Sequence, residues 1–99
     1  MIYNGEIQTT QSTIFTTPPF TAGSEITMLR VVNESGVART FTVYINITGT
    51  ARAITPVSTE LPIGACFDDF PLFQLRANTT IEAVADAAGV SWSLNAVQL

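Results

Sequence analysis

Few residues in this chain have side chains that could do chemistry. Asp68 and Asp69, in "ACFDDF", are its adjacent carboxylates, and its single cysteine, Cys66, stands two positions before them. Neighbours on a strand point to opposite faces, so the two acids could not flank one scissile bond. A calcium loop would need further oxygen ligands at fixed spacing, and none follow. The pair is therefore read as solvated or turn-forming. The chain has no histidine and no lysine, so nothing activates the thiol, and Cys66 is expected to fill space as a small apolar residue. Zinc would find no Cys/His set. A general base would have to be a carboxylate, and the serines lack a Gly-x-Ser-x-Gly elbow or a phosphate-cradling loop. The expectation is a protein that is not an enzyme, with no metal and no cofactor.

Asn33, Asn46 and Asn78 each open an Asn-x-Ser/Thr triplet. The motif matters only in a secreted setting. The start, "MIYNGEIQTT", lacks the basic and apolar regions of a secretory signal, and one unpaired cysteine is no disulfide scaffold. The triplets are read as coincidence in a threonine-rich chain made in the cytosol.

Composition says more. Apolar residues are 46% and charged residues 12% of the 99, against an ordinary charged fraction of about 25%. A length of 99 residues suits one domain, 1–99. The net charge of −4, with Arg30, Arg39, Arg52 and Arg76 scattered, argues against nucleic acid as partner. No apolar run approaches the ~18 residues of a membrane span. Sheet edges are commonly protected by lysine. A β protein without lysine is expected to cover edges or faces with a neighbour, hence to be a homo-oligomer or an assembly component.

The periodicity is that of strands. Expected strands run from Ile2 to Gln8, Ser12 to Thr17, Glu25 to Asn33, Arg39 to Ile47 and Arg52 to Ile54. Further pieces are Ala65 to Phe70, Leu72 to Leu75 and Val90 to Leu99, with an irregular edge from Thr55 to Gly64. Arg39 to Ile47 alternates cleanly: Phe41, Val43, Ile45 and Ile47 against Thr40, Thr42, Tyr44 and Asn46. With "ESG" as a turn, Glu25 to Ile47 is read as a β-hairpin. Thr79 to Ala88 fits either two helical turns or a strand, and the strand is preferred, with "DAAG" as the turn of a closing hairpin. In the last strand Val90, Trp92 and Leu94 share a face, and a phase slip at Asn95–Ala96 would let Val97 and Leu99 resume it, as a β-bulge does. Seven or eight short strands make a small antiparallel β-sandwich, immunoglobulin-like or jelly-roll-like.

Two stretches, "TTPPFTAGSEITMLRVVNESGVARTFTVYINITGTARAI" and "NTTIEAVADAAGVSWSLNAVQL", cover most of the chain. In their pattern of strands and turns the sequence resembles the small all-β virion proteins of tailed bacteriophages. That resemblance implies a capsid decoration or cement protein of the virion, often trimeric, that binds joints between major capsid protein subunits. Its alternative implication is an adhesive or glycan-binding module of a tail or fibre. Candidate interface residues are Tyr44, Thr42 and Thr40 on the hairpin's polar face, and Pro18, Pro19 and Phe20 at a rigid loop. Phe67, Phe70, Leu72 and Phe73 form an apolar cluster too large for the core alone. Tyr3, Tyr44 and Trp92 are the aromatics a sugar could stack on, with Trp92 inward by period.

Overall fold

In the middle of the chain Thr48 (φ 51°) and Gly49 (φ 89°) form a two-residue turn. Positive φ at both positions matches the right-handed twist of the flanking strands, which makes this a tight hairpin. Asn46 Oδ1 accepts the Gly49 N–H at 3.0 Å and closes it. From this tip the computed structural model, which describes residues 1–19, 22–69 and 73–99 (69 and 73 by backbone alone), doubles back on itself. Ile47 faces Thr50, Arg39 faces Leu61, Ser24 faces Leu75, Ser12 faces Ala83 and Ile2 faces Asn95.

That long antiparallel ribbon is rolled over a core. Its strands are β1 (Ile2–Glu6), β2 (Ser12–Thr16), β3 (Ser24–Asn33), β4 (Arg39–Ile47), β5 (Thr50–Ala53), β6 (Thr59–Leu61), β7 (Cys66–Asp69), β8 (Phe73–Leu75), β9 (Thr80–Ala85) and β10 (Val90–Gln98). One sheet runs β1-β10-β3, with β7 and β8 both against β3. The other runs β2-β9-β4, with β5 and β6 both against β4. Counting each broken pair as one position leaves eight, in the order of a jelly roll. All contacts between neighbouring strands are antiparallel. The sandwich expected from the sequence is therefore present, and of its two forms the immunoglobulin-like one is excluded.

Both long hairpins expected from the sequence are corrected. β3 and β4 lie in different sheets, as do β9 and β10. The alternation of Phe41 and Val43 says which face is inward but not which strand lies alongside. The corner between β3 and β4 is held by Asn33, which is 2% exposed. Its Nδ2 donates to Val37 O (2.8 Å) and Leu61 O (2.9 Å), and its Oδ1 accepts from Ser35 N (2.9 Å) and Ser35 Oγ (2.7 Å). The β9–β10 corner stacks on it: Glu34 N–H donates to Gly89 O at 2.7 Å. A Cβ at Gly89 (φ 103°) would come within 2.7 Å of Ser35 Cβ.

Phe41, Ile26, Ile81, Leu94, Val31, Val43 and Val90 form the centre of the core, each at most 1% exposed. Burying such a side chain contributes about 1.5–3 kcal/mol. Trp92 is inward as its period requires. The slip near Asn95 exists, but the extra residue is in β3: Asn95 pairs with Met28 and Ala96 with Ile26, leaving Thr27 over. β10 therefore keeps its phase, Ala96 is buried, and Val97 and Leu99 are exposed. The same bulge explains why Glu25 to Asn33 shows little alternation in the sequence. Residues 80–85 are strand, as preferred. Thr59–Leu61 adds a short strand within the segment read as irregular.

Between β5 and β6 the ladder to β4 is interrupted, and side chains take over its bonds. Thr55 Oγ1 accepts the Val43 N–H at 3.0 Å and Thr42 Oγ1 accepts the Ser58 N–H at 2.8 Å, while Ile54 N–H donates to Val43 O. Buried backbone groups left unpaired would be costly, which is why threonines stand at both positions.

Candidate interaction surfaces

The outer face of the β2-β9-β4 sheet is built by the outward residues of three strands. Glu82 on β9 is its polar centre. Its Oε1 accepts from Gln11 Nε2 at 2.7 Å and its Oε2 from Asn46 Nδ2 at 2.9 Å. These bonds, Gln11's first, hold the Glu82 carboxyl below the usual glutamate range, because they favour its charged form. Tyr44 sits directly across from Glu82 and is half-buried.

Two of the three residues nominated on this face are reachable. Tyr44 and Thr40 are half-buried. Thr42 is corrected: it is 3% exposed, since the segment joining β5 to β6 crosses over it. Alternation along β4 could not reveal that cover, which comes from residues more than ten positions away.

The apolar candidates divide differently. Pro18 is half-buried and Pro19 exposed, after β2. Phe67 is half-buried: it packs against the core and meets Phe41 edge to face, ring centres 5.5 Å apart. Phe20, Phe70 and Leu72 lie outside the described residues. Phe73 is described by its backbone, which pairs with Ile26.

On the other sheet Cys66 is exposed, not space-filling, because β7 is an edge strand and Cys66 shares the outer side with Asp68. Its Sγ lies 3.5 Å from Asp68 Oδ2. Asp68 is in a strand rather than a turn and forms an ion pair with Arg30 on β3. The guanidinium holds the Asp68 carboxyl below the usual carboxylate range. Among the described residues no group of three or more His, Cys, Asp or Glu side chains could hold a metal.

Of the three aromatics named as stacking candidates, Tyr3 is the most exposed, at 38%. Trp92 is 8% exposed, Tyr44 is half-buried, and Tyr3 is turned edge-on to Phe15 with ring centres 5.3 Å apart. Of the Asn-x-Ser/Thr triplets, Asn33 is buried and fully bonded, and the Asn46 amide is bonded to Glu82. Asn78 is exposed.

A surface at the hairpin tip is not expected from the sequence. Ile47 is 54% exposed and Ile54 40%. Two grooves of about 480 Å³ each meet at Ile47 and Thr48, one reaching Ile45, Ile54 and Arg52, the other Leu75 and Arg76. The inward period of Ile45 and Ile47 pointed to core; only the tertiary structure leaves the end of this strand uncovered.

No protein-family model matches the sequence, and no curated protein matches it. Solved structures do. A chain of the T13 IBDV viral particle is 19% identical with a TM-score of 0.57, over 98% of this chain and 28% of that one. A pentameric capsid protein isolated from metagenomic phage sequences, solved twice, is 20% identical with a TM-score of 0.47. It is matched over 98% of this chain and over 62% and 60% of its own. This chain thus spans less than two thirds of each of these structures. What it shares with the IBDV chain, at that identity, is the fold.

Proposed function

We propose that this chain is a structural component of a virus particle, and more narrowly a decoration or cement protein that binds across joints between capsid subunits. The observation that carries the reading is a jelly roll, an architecture used by viral capsid domains, whose sequence has no lysine and only 12% charged residues. The likeness of its fold to a chain of the IBDV particle supports the same reading. A cement protein acts through contact area: each weak joint is repeated over the shell, and avidity makes the sum strong. No proton or electron needs to move, in keeping with a chain that has neither histidine nor lysine.

The test is quantitative mass spectrometry of purified particles, followed by mild chaotrope. A decoration protein is present in copies comparable with the major capsid protein, leaves an intact shell and rebinds it. Loss of the whole shell on its removal would make it a shell subunit instead. Its absence from particles would overturn the virion role.

Within this reading the chain acts as a trimer whose outer-sheet residue Tyr44 meets the shell. Tyr44→Ser is expected to reduce rebinding to the stripped shell while the mass in solution and native Trp92 emission persist. Serine is the suitable replacement, because a carboxylate there would oppose Glu82. Rebinding unchanged by the substitution removes Tyr44 from the interface.

A further inference from the structure

The two ends of the sandwich differ in charge. One end carries the corner connections 34–38, 62–65 and 86–89, and the other carries the 48–49 turn and the 76–79 connection. Glu6, Glu34, Glu60 and Asp86 lie at the corner end, with Arg39 as the cation there. Arg52 and Arg76 lie at the hairpin end with Glu25, and Glu82, bonded to Gln11 and Asn46, stands one register step from Arg52. Arg30 is paired with Asp68 in mid-sheet, and Arg39 Nε donates to Ala88 O. Arg52 and Arg76 are exposed and, among the described residues, their guanidinium groups have neither an ion pair nor a hydrogen bond.

Each end also exposes aliphatic side chains. At the hairpin end these are Ile47 and Ile54, bordering the two grooves that Arg52 and Arg76 line. At the corner end they are Val37 (49% exposed) and Ile63 (65%), close in the chain to Glu34 and Glu60. An apolar surface fringed by cations fits an apolar protrusion fringed by carboxylates, and this chain carries both.

We infer that the hairpin end of one copy receives the corner end of a second copy, head to tail. The charges select this arrangement over its alternatives. Hairpin end on hairpin end would set Arg52 and Arg76 against their own counterparts. Corner end on corner end would bring together two sets of four carboxylates. Like charges juxtaposed in an interface are strongly unfavourable, so head to tail alone brings opposite signs into contact. Such a heterologous contact leaves one donor end and one acceptor end free and closes only into a ring, or otherwise extends as a filament. The inference rests on the proposed role as an assembly component and names the surfaces through which copies meet.

The test is sedimentation velocity over a concentration series of three proteins: the wild type, Arg52→Glu/Arg76→Glu and Glu34→Arg/Glu60→Arg. Wild-type association is expected to weaken about tenfold from 50 to 500 mM salt, since rim charges are screened. Each variant alone is expected to stay monomeric, because both of its ends then carry the same sign. Mixed one to one they associate again, since each supplies the end the other lacks. Trp92 emission checks that both variants are folded, and the salt series needs no variant at all. A wild type that is monomeric throughout, an association unmoved by salt and by both variants, or a mixture of folded variants that stays monomeric would each overturn the head-to-tail contact. None of these results would remove the chain from purified particles, so the virion role stands or falls separately.

Discussion

Asn33→Asp is the most searching substitution for the corner between β3 and β4. It keeps the shape of the side chain and the two bonds from Ser35 to Oδ1. It replaces the Nδ2 donor to Val37 O and Leu61 O by an oxygen that faces two carbonyl oxygens. A lost bond is worth about 1 kcal/mol net, and a buried acceptor without its donor costs about 1–3 kcal/mol. A neutral carboxyl can restore one donor, so the variant is expected to lose about 1–3 kcal/mol in acid. That is a sizeable part of a domain stability of about 5–15 kcal/mol. Ionisation makes it worse, since the anion would be buried with no cation beside it. Burial and the two carbonyls raise the folded-state pKa of the new carboxyl above its unfolded value of about 3.9. The folded variant then binds more protons than the unfolded one. Its stability relative to wild type falls as pH rises above about 4, by up to about 1.4 kcal/mol per pH unit, until the raised pKa is passed. Asn33→Ala gives up every side-chain bond of Asn33 but adds no charge, so its cost relative to wild type does not change with pH. Urea unfolding followed by the emission of Trp92, the sole tryptophan, measures all three proteins at pH 4, 5.5 and 7. The reasoning is refuted if Asn33→Asp costs less than about 1 kcal/mol at pH 7, or if its cost does not grow with pH while that of Asn33→Ala stays level.

Two further outcomes follow from neighbouring geometry. Gly89→Ala puts a Cβ at a φ of 103° and within 2.7 Å of Ser35 Cβ, so it should cost about 2–3 kcal/mol and lower the thermal midpoint in calorimetry; a midpoint within a degree of wild type would contradict the stacking of the two corners. Glu82, its pKa lowered by Gln11 and Asn46, contributes stability that is present above its unfolded pKa and is lost as pH falls through the folded one. Glu82→Gln should therefore flatten the fall of the thermal midpoint between pH 5 and pH 3, and an unaltered acid limb would assign that fall to other carboxylates.

Strand content and inward faces were legible in the sequence because they depend on neighbours two positions apart. Phe41 and Val43, and Val90, Trp92 and Leu94, lie inward as their alternation requires, and the lack of histidine and lysine is a plain fact of composition. Pairing was not legible. Glu25 to Ile47 looks like a hairpin and is a corner, because what turns β4 into the other sheet is the Asn33 amide reaching Leu61, far along the chain. The slip at Asn95 was visible, yet its extra residue, Thr27, is on the partner strand, and only the paired register shows which strand bulges.

The interaction surfaces divide in the same way. Polarity along β4 is a property of the sequence and singled out Tyr44, whereas the burial of Thr42 depends on a segment that crosses it from outside. Scarcity of charge is likewise compositional. The segregation of carboxylates and arginines to opposite ends exists only after the ribbon is rolled, when Glu6, Glu34, Glu60 and Asp86 gather at one end. Local alternation determines which side of a strand is dry. Long-range pairing determines which strands, and therefore which charges, stand together, because that choice is made by contacts between residues tens of positions apart.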